Sequence, residues 1–220
     1  MSLNNSQQIL LGAGGHAKVL LALCRAGNIK VDGICDPDLN ARGELLWGKV
    51  PVFGDDDYLY RANRSCTMLV NGLGQTVYGS RREELFTKFQ ELGFTFPSLL
   101  HPFTSISLDA QIADGVQVMA GAVIQPGSSV GANTIINTHA SVDHDCLIEE
   151  HCHIAPGAIL CGGVTVQRGA FISAGATVLP GVTVGALSIV GAGTTLYEDL
   201  PSEHKALASK IRTQKLKKGS

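Results

Sequence analysis

A histidine followed directly by an acid occurs once in the chain, at His144-Asp145. Imidazole titrates near neutral pH, so it can take a proton from a reacting amine, and a neighbouring carboxylate orients the ring and raises its basicity. The pair could therefore act as a general base. A solvated turn would tolerate the same two residues, and their spacing alone leaves both interpretations open.

A glycine-rich loop at residues 12–17, Gly-Ala-Gly-Gly-His-Ala, is a second candidate site. It follows a predicted strand and opens a predicted helix, and Asp36 comes directly after the next predicted strand. This spacing is typical of nucleotide-binding turns, in which helix N–H groups hold a diphosphate and the acid binds a ribose hydroxyl. His16 favours an anion nearby, because a cationic histidine is disfavoured at a helix N-terminus. A packing turn without a ligand is the alternative.

The segment that carries this loop is short. Three strands and two helices are predicted there: strands at residues 8–11, 31–35 and 67–70, and helices at residues 19–25 and 82–92. They amount to one mononucleotide-binding half, so one nucleotide fits better than two. A dehydrogenase is therefore excluded on size.

The elements that must position His144 follow a period of six residues. Aliphatic residues recur at this spacing without a break: Ile106, Ile112, Val118, Ile124, Val130, Ile136, Val142, Ile148, Ile154, Leu160, Val166, Ile172, Val178, Val184, Val190 and Leu196. Small residues stand four places after most of these anchors. A period of six matches neither a helix nor a continuous strand, and it is the signature of hexapeptide β-helices.

This repeat predicts a left-handed parallel β-helix over residues 105–200. Three hexapeptides complete one coil of a triangular prism, with each anchor pointing inward and stacking on the anchor eighteen residues later. His144, two places after an anchor, then lies where the chain leaves a face and its side chain can project outward. A β-sandwich is the alternative, but its turns vary in length and would not keep one phase.

Composition limits the class of partner. The 17 basic and 19 acidic residues give a net charge of −2, so no overall field attracts nucleic acid or an anionic membrane. The chain has no apolar stretch of spanning length and no signal-peptide pattern at its start, so we expect a cytoplasmic protein with reduced cysteines and no membrane insertion. A zinc site at Cys146, Cys152 and Cys161 with nearby histidines is an alternative, which the lack of C-x-x-C spacing disfavours.

The two halves together resemble one enzyme family. A loop of the form Gly-x-Gly-Gly-His-Ala-Lys, followed by a hexapeptide prism with Ile136-Asn137-Thr138 and then Val142-Asp143-His144-Asp145-Cys146, is similar to bacterial nucleotide-sugar N-acetyltransferases. These make diacetylated bacillosamine or N-acetylperosamine, and sialic acid O-acetyltransferases are related. The resemblance covers residues 9 to about 200 and implies that acetyl-CoA is the co-substrate, that no metal takes part and that the protein is a homotrimer.

The resemblance also implies a role for individual residues. It makes His144 the general base and Asp145 its partner, and Gly162 suits an oxyanion because its bare N–H can approach the thioester oxygen. The residues expected to bind the nucleotide sugar are Gly14, Gly15, His16, Asp36, Pro37, Gly74 and Asn137. Those expected to bind acetyl-CoA are His153, Gly162, Ala174 and Ala192. We expect His139 and His151 to be surface turn residues without a role.

The sequence thus predicts a Rossmann-like α/β half domain at residues 1–100, a β-helix domain at residues 101–200 and a basic tail at residues 201–220. The predicted activity is acetylation of a UDP-linked 4-amino-4,6-dideoxy N-acetyl sugar to give UDP-N,N'-diacetylbacillosamine. GDP-perosamine N-acetylation and sialic acid O-acetylation are the alternatives. A non-enzymatic nucleotide-sugar-binding scaffold, which would tolerate loss of His144, is a further one.

Overall fold

The computed structural model describes residues 6–77 and 79–208, and it begins with a five-stranded sheet and its helices. The strands are β1 (Gln7–Leu11), β2 (Gly33–Cys35), β3 (Leu46–Trp47), β4 (Val50–Gly54) and β5 (Thr67–Asn71). The helices are α1 (Gly15–Ala26), α2 (Pro37–Ala41), α3 (Asp56–Arg61) and α4 (Arg81–Glu91), with a 3₁₀ turn at Arg64–Cys66.

The strand order places a ligand site at the centre of this sheet. The order is β3-β4-β2-β1-β5, and all neighbours are parallel except the β3–β4 hairpin. From β1 the chain adds strands on one side and then crosses to the other side for β5, so the order reverses at β1. Open parallel sheets bind ligands beyond the carboxyl ends of the strands at such a point. The glycine loop after β1 and the loop after β5 both lie there.

The predicted strands and helices of this part are present, with bounds shifted by a few residues. The sequence pattern did not indicate β3, β4, α2 or α3. These elements have two to six residues, which is too few to show a clear periodicity. The missed β4 also contains Pro51, a residue that argues against a strand.

The rest of the described chain forms a triangular prism with three faces. The first face consists of β7 (Ser105–Ile106), β10 (Val123–Ile124), β13 (Ser141–Val142), β16 (Ile159–Leu160), β19 (Thr177–Val178) and β22 (Thr195–Leu196). The second face consists of β8 (Gln111–Ile112), β11 (Ser129–Val130), β14 (Leu147–Ile148), β17 (Thr165–Val166) and β20 (Thr183–Val184). The third face consists of β6 (Leu99–Leu100), β9 (Gln117–Val118), β12 (Ile135–Ile136), β15 (His153–Ile154), β18 (Phe171–Ile172), β21 (Ile189–Val190) and β23 (Lys205–Ala206).

The predicted left-handed parallel β-helix is confirmed. Strands pair in parallel with residues eighteen apart, as in Ile124 with Val142 and Ile154 with Ile172. From Val118 onward every anchor is buried, whereas Ile106 and Ile112, in the first coil, are half-buried. The stacked aliphatic side chains form one continuous core, and their shape pins the register of each coil on the next.

The turns of the prism and its last coil follow their own pattern. Three places after each anchor from Ile112 to Val190 the backbone is left-handed, and this slot holds mostly glycine. After Leu196 the next inward residue is Leu200, only four places on, and β23 then follows. Residues 201–208 therefore close the prism, and residues 209–220 of the predicted basic tail lie outside the described residues.

The N-terminal sheet and its helices pack against the third face. Leu99 and Ile135 point outward from this face and are buried in one cluster with Leu10 and Leu20. Gln117, another outward residue of the face, is only 2% exposed. The loops after β1 and β5 are thereby held against the side of the prism.

Candidate active site

The glycine loop leaves the N-terminus of α1 open to a ligand. Helix α1 forms because Ala17, Leu20, Leu21 and Cys24 share one buried face. Its N-cap is Gly14, no side chain caps it, and its first turn holds no acid. A Cβ added at Gly14 or Gly15 would meet nothing within 4 Å. The free N–H groups and the helix dipole suit an anionic group such as a diphosphate.

Asp36 lies beside this loop, but its carboxylate is already engaged. One oxygen accepts a hydrogen bond from the Ala13 N–H at 2.8 Å, and the other accepts one from the Leu39 N–H at 2.9 Å. Asp36 thus caps α2, which starts at the exposed Pro37, and ties the glycine loop in place. Carboxylate oxygens have further lone pairs, so Asp36 can also accept a hydrogen bond from a ribose hydroxyl.

His16 is neutral in this structure. Burial and, to a smaller extent, the Arg82 guanidinium lower its pKa to about 4, although the hydrogen bond with Gln117 raises it. Without an anion beside it the ring is therefore neutral, and the role of His16 in binding an anionic ligand stays a prediction. Gly74, on the loop after β5, lies against His16, since a Cβ there would be 3.2 Å from that of His16.

A buried polar cluster connects these loops to the prism, and sequence analysis missed most of it. Arg82 is 1% exposed and donates from Nη1 to the carbonyls of Asn71 (3.1 Å) and Leu73 (2.6 Å) and from Nε to that of Asn133 (3.2 Å). The Asn71 amide nitrogen bonds the Asn133 side chain at 3.1 Å. Arg82 shares one face of α4 with Phe86 and Phe89, so a basic residue on an apolar stripe was the available signal.

Asn137 and His153 form a pair on the third face, near His16. Asn137 Oδ1 accepts from the Thr138 N–H at 2.8 Å, so the amide nitrogen points to His153 Nε2 at 3.1 Å. His153 Nε2 is then the acceptor, and Nδ1 carries the proton. Within residues 6–77 and 79–208, Nδ1 is buried and meets no partner in full hydrogen-bond geometry, although the Gln75 backbone lies close enough to raise the pKa of the ring. Burial, His16 and Arg82 lower the pKa of His153 to about 3.

His144 and Asp145 lie elsewhere, at the edge where the first face turns into the second. Their side chains are 62% and 73% exposed. His144 Nδ1 is 2.8 Å from Asp145 Oδ2, and because a carboxylate only accepts, Nδ1 carries the proton and Nε2 is free to take one. The Asp145 hydrogen bond, with Asp143 nearby, raises the pKa of His144. This arrangement can do general-base chemistry.

Two glycines make room for this pair. Asp145 stands in the left-handed slot of its turn (φ 57°), and its carboxylate occupies the space that a side chain at Gly127, one coil earlier, would fill. One coil later, a Cβ at Gly162 would be 2.5 Å from His144 Nε2. Gly162 therefore lets the ring lie over the next turn, with the proton-accepting nitrogen directly above it.

Ala174 and Ala192 lie at a different edge of the prism, where the third face turns into the first. Both are exposed. The structure thus brings together Gly14, Gly15, His16, Asp36, Gly74, Asn137 and His153 near the third face. It places His144, Asp145 and Gly162 at another edge. His153, expected to contact acetyl-CoA, lies with the expected sugar-binding residues.

The remaining histidines and the cysteines do not form a metal site. His139 is exposed, as expected, but His151 is buried, bonds Asn133 and packs edge-on against Phe86, so the prediction of a surface turn is wrong there. Cys146 and Cys152 point into the prism core. In the described part of the chain no three His, Cys, Asp or Glu side chains are arranged to hold a metal ion.

No helix among the described residues is both long and apolar enough to cross a membrane.

The fold and the exposed His–Asp pair define a class: acyltransferases built on a hexapeptide prism. No protein-family model matches the chain, and no match was found among curated proteins. Solved structures do match over nearly the whole chain. PerB from Caulobacter crescentus, solved with CoA and GDP-perosamine, is 36% identical, covers 97% of this chain and 100% of its own, and has a TM-score of 0.83.

Two further structures agree with this match. The acetyltransferase domain of PglB from Neisseria gonorrhoeae, solved with acetyl coenzyme A, is 32% identical over 91% of this chain and 95% of that chain, with a TM-score of 0.83. WeeI from Acinetobacter baumannii, 19% identical over 92% of this chain and 96% of its own, shares the fold (TM-score 0.75). The chain belongs to the family of hexapeptide-repeat sugar N-acetyltransferases, which use acetyl-CoA.

Proposed function

We propose that the protein acetylates the amino group of a nucleotide-linked 4-amino-4,6-dideoxy sugar. The observation that carries the proposal is His144, whose Nδ1 donates to Asp145 and whose Nε2 stands free over Gly162. An amine must lose a proton to become an amide, and Nε2 is an exposed acceptor for it. The PerB structure with CoA and GDP-perosamine shows that a relative binds both kinds of ligand.

The reaction is a direct transfer. The amine nitrogen attacks the thioester carbonyl carbon, a C–N bond forms, and His144 Nε2 takes the N–H proton. The C–S bond then breaks, the acetyl group stays on the sugar, and the thiolate of CoA takes the proton from His144, which restores the neutral base. The Gly162 N–H, which forms no hydrogen bond to another described residue, suits the negative charge that develops on the carbonyl oxygen.

The site is completed by a second chain. Acetyl-CoA that touches both His144 with Gly162 and Ala174 with Ala192 must reach two different edges of the prism. These two edges lie apart on one prism. In a ring of prisms, the edge with His144 of one chain can face the edge with Ala174 of the next chain. We therefore propose a homotrimer with acetyl-CoA between prisms. A fully active monomer in sedimentation would contradict it.

The sugar nucleotide binds, in this proposal, at the junction of the sheet and the third face. The open N-terminus of α1 takes the phosphates, and Pro37 and Gly74 border the site. Asn137 lies beside it on the prism, and the buried His153 Nδ1–H is a donor for acetyl-CoA or for the sugar.

Two substrates are candidates. The sequence resemblance suggests the UDP-linked N-acetyl sugar that gives UDP-N,N'-diacetylbacillosamine. The ligand of PerB, which matches 97% of this chain, favours GDP-perosamine. CoA release should be measured with acetyl-CoA and UDP-, GDP- and CMP-linked sugars, and the best substrate should exceed the others in kcat/KM by more than tenfold. Thiol release that none of these sugars stimulates would contradict the proposal.

A further inference from the structure

The contacts of Gln117 fix the position of one proton on His16. Gln117 Nε2 lies 2.8 Å from the Asn71 carbonyl oxygen, which can only accept, so the amide nitrogen must face that way. Gln117 Oε1 therefore faces His16 and lies 2.7 Å from its Nε2. An amide oxygen only accepts as well. His16 Nε2 must then carry the proton and donate it.

With no anion bound, the ring of His16 carries no second proton. Among the described residues, the Arg82 guanidinium from α4 lowers the pKa of His16, and His153 from the third face lies close enough for His16 to lower its pKa; neither neighbour is an acid. Burial and the guanidinium charge both oppose a positive ring, and the pKa of His16 falls to about 4. Nδ1 consequently presents a lone pair. His16 is the second residue of α1, beside the loop after β5, where the strand order reverses.

We propose that Gln117 is a positioning residue that holds His16 as a hydrogen-bond acceptor for a hydroxyl or N–H group of the nucleotide-linked sugar. The proposal rests on the proposed function. Phosphate oxygens have no proton to donate, so they are bound by the helix N–H groups and not by His16. Gln117 belongs to the prism, and His16 to the glycine loop 101 residues earlier. A residue of the prism thus determines which ligand groups the glycine loop recognises.

The first test observes the proton itself. With ¹⁵N-labelled histidine, long-range ¹H–¹⁵N spectra of the full chain at neutral pH should show His16 as the neutral Nε2–H tautomer, with the signal assigned by its loss in His16→Asn. Gln117→Leu should give a mixture of tautomers. Gln111→Leu is the matched control, because Gln111 has the same place in its hexapeptide but is exposed, and it should leave His16 unchanged. A cationic or Nδ1–H ring in the wild-type protein would overturn the proposal.

The second test measures recognition. Gln117→Leu should raise KM for the best sugar nucleotide about fivefold, as expected for one hydrogen bond, and leave kcat and the KM of acetyl-CoA near wild type. Gln117→Met keeps the side-chain length if leucine prevents folding, and because it also lacks the amide oxygen it should give the same mixture of tautomers and the same rise in KM. A changed tautomer with an unchanged KM would also overturn the proposal. Lack of turnover with any sugar contradicts the proposed function instead, since the spectra need no substrate.

Discussion

The two histidines assigned to the reaction have opposite surroundings. His144 lies on an exposed turn, next to a carboxylate, and its pKa is raised. His16 lies at the buried junction between sheet and prism, next to an amide and near a guanidinium, and its pKa is lowered to about 4. One ring is thereby suited to take a proton and the other to remain neutral. The same side chain serves two purposes because the neighbours differ.

The contrast also concerns distance along the chain. The partner of His144 is the next residue, and its supporting glycines are one coil away. The partner of His16 is 101 residues away and is itself held by Asn71. A local site needs only the repeat to position it. A junction site depends on how two separately formed parts pack together.

The largest expected effect is loss of the base. His144→Ala should lower kcat by about 10²- to 10⁴-fold, with little change in affinity for either substrate, because a turn residue adds little to the stacked core. Raising the pH should partly restore the rate, since it deprotonates the amine in solution. Steady-state kinetics and calorimetry measure both quantities. Asp114→Ala is the control, because Asp114 is exposed at the same place in its hexapeptide on a different edge, and it should keep wild-type turnover. Turnover of His144→Ala within a few-fold of wild type contradicts the assignment.

The second largest loss of activity is expected from a methyl group at position 162. Gly162→Ala places a Cβ 2.5 Å from the resting position of His144 Nε2, so the ring must move, and a displacement of this size costs about 10²-fold in kcat. The double variant Gly162→Ala/His144→Ala provides the control. If the methyl group acts by moving the ring, kcat of the double variant should be no lower than kcat of His144→Ala. If kcat of the double variant falls by the product of the two single losses, Gly162 acts independently of His144.

Asp145→Asn should have a moderate effect that depends on pH. The carboxylate raises the pKa of His144, and the base works only when deprotonated, so wild-type activity should rise with pH through a pKa above 6.5. Without the charge the midpoint should move to lower pH, and the plateau should fall about tenfold because a weaker base remains. Asparagine fits the backbone, since Asn133 has the same slot with φ 56°. An unshifted pH profile of kcat would disprove this role for Asp145.

The smallest effect is expected at the other site. Asp36→Asn keeps one acceptor oxygen and loses the second backbone contact, so it should lower the free energy of unfolding by about 1 kcal/mol. KM for the sugar nucleotide should rise a few-fold, and affinity for acetyl-CoA should not change. Chemical denaturation and calorimetry test the two parts. Equal losses for both ligands would contradict the separation of the sites.

The sequence by itself determined the prism. Sixteen aliphatic residues in one sixfold phase specify which side chains point inward, and that phase also puts His144 on a turn and Gly162 one coil beneath it. The sequence also indicated the glycine loop and Asp36, by the spacing of the motif to which they belong. These inferences depend on contacts between near neighbours or between equivalent places in successive coils. Periodicity records such contacts directly.

Only the tertiary structure decided the chemistry of the junction. Gln117 and Arg82 carry no motif, and their partners lie far away in sequence: Gln117 contacts His16 and Asn71, and Arg82 contacts Asn133. The charge state of His16 follows from burial by a face of the prism, which no local pattern near residue 16 records. The burial of His151 under Phe86 was missed for the same reason. Packing of two parts creates surroundings that neither part encodes alone, because desolvation depends on everything that excludes water from a group.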